Sequence, residues 1–118
     1  MPRDSRVYLE DMLAAAEKIG RYAAGMTRAD LAADPKTLDA ILRNLEVIGE
    51  AAKNVPAAVR ATCPRIEWHK VAGLRDLLIH QYFGIDLDII WDIVQNKVPR
   101  LAEDLREVQK QAGGPPPT

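Results

Sequence analysis

A chain of 118 residues, 47% hydrophobic and 28% charged, has the length and composition of one soluble domain with a single core. Its net charge of -1 excludes a global basic footprint for nucleic acid, so any such site must be local. Cys63 is the only cysteine, which excludes an intramolecular disulfide and a cysteine-rich metal centre; beside Pro64 and without a motif it reads as an inert thiol in a reducing compartment.

In chain order the sequence predicts helices throughout. The start carries no apolar signal segment and no run is long enough to cross a membrane, so a cytoplasmic location is expected. Leu9, Met12, Leu13, Ala16, Ile19 and Ala23 recur at helical spacing, with Ser5 as the expected cap and Gly25 near the end. Thr27 and Asp30 have the spacing of a capping box and predict one short turn. Asp34 and Pro35 open a second helix, whose stripe is Leu38, Ile41, Leu42, Leu45, Ile48, Ala52 and Val55. Gly49, Ala51 and Ala52 are small enough to let another helix approach closely.

Pro56 stops that helix or starts the next turn, and Pro56 to Pro64 reads as a short helical turn within a connection. A third helix is predicted from about Glu67 to Phe83, with Gly84 as its stop. Asp86 or Asp88 caps a fourth, containing Leu87, Ile90, Trp91, Ile93 and Val94, which Pro99 is expected to break or kink. Leu101, Leu105 and Val108 carry a final stripe before a Gly/Pro tail. The expectation is one helical domain over 1–112, with 113–118 a disordered tail, arranged as an up-down four-helix-type bundle with short extra turns.

Chemistry concentrates in the third helix. Arg75, Asp76, His80 and Tyr82 fall within eight residues of an otherwise apolar run, where unpaired polar groups are costly to bury. At about 100° per residue, Asp76 and His80 share a face and can touch, whereas Arg75 lies on the stripe of Tyr82. Histidine can move protons near neutral pH, and arginine can grip a phosphate with two donors. Trp68, Val71, Leu74, Leu77, Leu78 and Ile79 cover most of the remaining wheel, so this helix must bury more than one face, most simply in a homodimer. Arg60, Arg65, Lys70 and Arg75 supply the local positive charge a nucleic acid would need, against Glu67 and Asp76. A plainer reading stands beside this one. Asp76–His80 is then a surface pair, Arg75 pairs with an acid on a neighbouring helix, Tyr82 is a core aromatic, and His69 is a surface or capping residue. Histidines eleven apart without a carboxylate cluster make no convincing metal site.

The combination resembles the HepT-like proteins of the HEPN superfamily, the toxin halves of prokaryotic HepT/MntA toxin–antitoxin pairs. Their mark is an arginine, four residues, a histidine, one residue and a tyrosine, met here by Arg75, His80 and Tyr82. Ile48-Gly49-Glu50-Ala51-Ala52, Trp68, the run from Tyr82 to Asp86 and Trp91 match the flanks, and the likeness extends to about Leu105.

The resemblance implies a HEPN-like helical bundle, dimerising through the motif helix, and a metal-independent endoribonuclease without a cofactor, acting in a type VII toxin–antitoxin pair. In it Arg75 would hold the scissile phosphate of an RNA substrate, His80 would act as general acid/base, and Asp76 would orient His80 or bind substrate. Tyr82 would accept AMP from an MntA-like nucleotidyltransferase antitoxin. A non-cleaving RNA- or nucleotide-binding subunit of a nucleotidyltransferase complex is the alternative, and a purely structural helical subunit the third.

Overall fold

The computed structural model describes residues 4–80 and 86–113, and the side chains at 77–80 and 111–113 lie outside that description. Seven α-helices are described: α1 (Ser5–Ala23), α2 (Arg28–Ala32), α3 (Pro35–Lys53), α4 (Ala57–Arg60), α5 (Trp68–His80), α6 (Leu87–Asp92) and α7 (Val98–Gly113). A π-helical turn, Ile93–Lys97, joins α6 to α7. No strand occurs among the described residues, so the all-helical class holds, and the arrangement suits a HEPN-like bundle.

Local chemistry sets most helix starts. Asp34 accepts from the Thr37 N–H at 3.1 Å and from its hydroxyl at 2.6 Å, with Pro35 at the first helical position. Thr27 and Asp30 form the expected capping box, each side chain accepting from the other's backbone N–H. Gly25 takes the left-handed conformation (φ 76°) that turns the chain out of α1, a region closed to most side chains.

One expectation is corrected. The cap of α1 is Asp4 rather than Ser5: its carboxylate accepts from the Arg6 N–H at 2.9 Å and also pairs with the Arg6 guanidinium at 2.7 Å. A carboxylate has two oxygens, one for the backbone N–H and one for the guanidinium, where a hydroxyl has a single oxygen. The break or kink expected at Pro99 is met just before it by a change of helical pattern: α6 ends at Asp92, and the π turn carries the chain to α7, with the Val98 N–H bonded to the Ile93 carbonyl. A wider turn suits a proline, whose ring would strike a carbonyl of the preceding α-helical turn and which lacks an N–H. The expected stop at Phe83 and Gly84, and the tail from residue 114, lie outside the described residues.

α1 packs against both α3 and α7, and α3 packs against α5 on its other side. Leu9, Met12 and Ile19 of α1, Ile41, Leu45 and Ile48 of α3, and Leu105 and Val108 of α7 are all at most 1% exposed. No polar or charged residue is buried among the described residues. Each such aliphatic side chain contributes about 1.5–3 kcal/mol by leaving water. No described helix is long and apolar enough to cross a membrane.

Candidate functional site

The site begins with a missing side chain. A Cβ on Gly49 would lie 2.6 Å from the backbone nitrogen of Arg75 and 3.1 Å from its Cβ. α3 and α5 therefore touch backbone to backbone at this point, and the close approach predicted for the small residues of α3 falls on the motif arginine. The position of Arg75 along and around α3 is fixed by the main chain rather than by its own side chain.

Where α5 starts is fixed one connection earlier. The Trp68 indole N–H donates to the carbonyls of Arg60 and Cys63, both at 3.1 Å. Arg60 donates to the Ala52 carbonyl at 2.7 Å and the Val55 carbonyl at 3.0 Å, which caps the C-terminal end of α3. Its guanidinium also stands 6.0 Å over the Trp68 ring. The Trp–Arg clamp ties the end of α3 to the start of α5, two turns before Arg75.

On this frame the side chains of the motif cross to α3. Arg75 Nε lies 2.7 Å from Glu50 Oε2, and Lys53 Nζ lies 3.2 Å from Asp76 Oδ1. Both pairs are partly exposed, with 39% of the Arg75 side chain open to solvent. The plainer sequence reading of Arg75, a partner acid on a neighbouring helix, is met by Glu50. Asp76 pairs with Lys53, a contact the helical wheel could not anticipate because Lys53 is on another element. Arg75 and Glu50 stand at the wall of an open cleft of about 450 Å³, also lined by Tyr8, Asp11, Arg43 and Asn54.

The expected local basic patch is largely spent. Arg60 serves backbone carbonyls, Arg65 pairs with Asp104 of α7 at 3.6 Å, and Lys70 pairs with Glu67 at 2.8 Å. The Lys70 ammonium holds the Glu67 carboxyl below its ordinary pKa, and Glu67 holds Lys70 above its own. A second opening of about 660 Å³ separates α5 from the π turn and α7, where Val71 and Leu74 face Ile93, Val98 and Leu101 across a rim bearing Lys97 and Arg100. Cys63 is buried and His69 exposed. Among the described residues no three His, Cys, Asp or Glu side chains gather as a metal-ion site.

His80 lies at the end of the described part of α5, but its side chain lies outside the described residues, as does all of Tyr82. The structure thus brings Arg75 together with Glu50 and Asp76 together with Lys53. Glu50 and Lys53 were missed as site residues in the sequence, although an acid directly after a close-approach glycine was a signal for the first.

Residues 12–108 match the model of a family described as "Ribonuclease HepT-like". A protein of Methanocaldococcus jannaschii described as a candidate RNase is 44% identical over 97% of this chain and 95% of its own length. A probable ribonuclease HepT of Thermococcus cleftensis is 38% identical over 93% of this chain and 100% of its own. A candidate RNase of Caldanaerobacter subterraneus is 38% identical over 87% of this chain and 92% of its own. No solved structure matches the chain.

Proposed function

The chain belongs to the HepT-like ribonuclease family of the HEPN superfamily, and on that premise we propose that it is a metal-independent endoribonuclease, the toxin half of a type VII toxin–antitoxin pair. The observation that carries the reading is Arg75, placed by α3 at the wall of an open cleft five residues before His80 on the same helix. In the proposed reaction the ribose 2′-hydroxyl gives up its proton and its oxygen attacks the adjacent phosphorus. The bond to the 5′-oxygen breaks, that oxygen takes a proton, and a 2′,3′-cyclic phosphate remains. Arg75 stabilises the extra negative charge on the phosphate, and His80 moves protons at the attacking or leaving oxygen. Asp76, held by Lys53, supports the site.

A homodimer through α5 belongs to the same reading, and the half-buried Val71 and Leu74 beside the open groove support it. So does silencing by AMP transfer: Tyr82 would accept AMP from an MntA-like nucleotidyltransferase, adding bulk and negative charge two residues beyond His80, where RNA would be repelled.

The test is cleavage of a labelled RNA in the presence of EDTA. The protein is expected to cut, and Arg75→Ala and His80→Ala, at matched helicity, to lose cleavage by about 100-fold or more. RNA binding without product would favour the non-cleaving subunit. Cutting by both variants at the original rate would remove Arg75 and His80 from the mechanism.

A further inference from the structure

An arginine that must meet a phosphate works best if it is already in place, because its long side chain otherwise gives up rotamer freedom on binding. The Arg75 side chain is 39% exposed. Only Glu50 is seen to hold its guanidinium among the described residues, through Nε at 2.7 Å.

The pattern of pairing along α3 gives this contact weight. Glu50 and Lys53 stand three apart on one helix and could satisfy each other. Instead each crosses to α5, Glu50 to Arg75 and Lys53 to Asp76. Glu46 is paired within α3, with Arg43 at 3.6 Å, so no other acid of α3 is engaged with Arg75. Gly49 brings the two backbones together beside Glu50, so the acid meets the arginine with little freedom in either main chain. A guanidinium has five N–H donors. Glu50 approaches as an ion pair at the Nε edge, and the two Nη nitrogens carry four donors that suit a bidentate contact with a phosphate. Partly exposed pairs of this kind contribute little to stability, so folding gives a weak account of this one.

We propose that Glu50 is a positioning residue: it holds Arg75 by Nε at the cleft wall so that the Nη donors are presented to the phosphate of the RNA substrate. The inference rests on the ribonuclease reading above and adds a residue to it. Glu50 acts through Arg75 and not on the reacting atoms, which separates it from a proton acceptor.

The experiment measures kcat and KM for RNA cleavage across pH with the intact chain, Glu50→Gln, Glu50→Ala, Arg75→Lys, and Glu50→Ala combined with Arg75→Lys. Glu50→Ala is expected to lower kcat by about tenfold or more, since a misplaced catalytic group costs on that order. KM should hold or fall, because a negative charge near a polyanion has gone. Glu50→Gln keeps an oxygen on the same stem and should fall between the two. In the Arg75→Lys background, Glu50→Ala should change kcat by less than about threefold, as residues acting through one another are not additive. An unchanged or raised kcat in Glu50→Ala overturns the proposal while leaving the ribonuclease reading intact. Equal loss in the Gln and Ala variants, with the acidic limb of the pH profile flattened, also overturns it and makes Glu50 a proton acceptor. Absence of cleavage by the unaltered chain removes the ribonuclease reading and this inference together.

Discussion

α1 and α5 both pack on α3, and they do so in opposite ways. The α1 side is a dry seam of Met12, Ile19, Ile41 and Leu45, each 0% exposed and without a polar group among them. The α5 side is a backbone contact at Gly49 flanked by the Glu50–Arg75 and Lys53–Asp76 pairs, with Val71 and Leu74 only half-buried. One helix thus divides two tasks between its faces. Apolar burial on one side supplies stability in proportion to area and needs no exact orientation. Charges on the other side contribute little to stability but fix directions. Substitutions in the motif should therefore be tolerated by the fold, and substitutions in the seam should not.

Leu45→Ala should separate the two faces of α3 most strongly. Truncating a fully buried leucine should cost about 2–5 kcal/mol, read from the urea midpoint, while cleavage per folded molecule stays unchanged. A loss below about 1 kcal/mol would mean that the seam is not where stability resides.

Gly49→Ala tests the boundary between the two faces. Helix propensity alone favours alanine by about 1 kcal/mol. The new Cβ would stand 2.6 Å from the Arg75 nitrogen, and backbone cannot swing aside as a side chain can. The clash should win, with a net loss of about 1–3 kcal/mol and a parallel fall in cleavage as α5 is pushed off. A rise in melting temperature with cleavage intact would show that the helices are not pinned there.

The smallest effect is acid. The Thr37 hydroxyl and N–H hold Asp34 below its ordinary pKa, and Lys70 does the same for Glu67. A carboxyl whose folded pKa is depressed adds stability above its unfolded pKa and loses it as pH falls through the folded one. Amide exchange should accordingly quicken in the first turns of α3 and α5 as pH drops below about 4, after correction for the intrinsic rate, while the α1–α3 seam keeps its protection. Asp34 is partly buried and Glu67 exposed, so the change should be slight, and uniform loss across all helices would contradict it.

What could be read in the sequence follows from how local the physics is. The Thr27–Asp30 box and the Asp34–Pro35 start use partners within three residues, and the stripe of α3 is set by helical period alone. Ser5 lost to Asp4 because two adjacent residues could both cap, and only the contact with Arg6 distinguished them. Pro99 signalled an interruption but not its form, because a proline rule states a clash without saying that a π turn will precede it. The basic segment from Arg60 to Arg75 looked like one surface, yet Arg60 turned inward to cap α3 with Trp68 against it.

Residue spacing along the chain therefore determined the helices, most of their starts, the core stripe and the Arg75–His80–Tyr82 pattern, and the match over residues 12–108 places the protein in its family. Tertiary structure alone decided which charges meet. Glu50 and Arg75 are 25 residues apart and Lys53 and Asp76 are 23, and nothing in either helix's own period selects these partners. They meet because Gly49 lacks a side chain at the crossing of α3 and α5, and only the packed chain reveals where two helices cross.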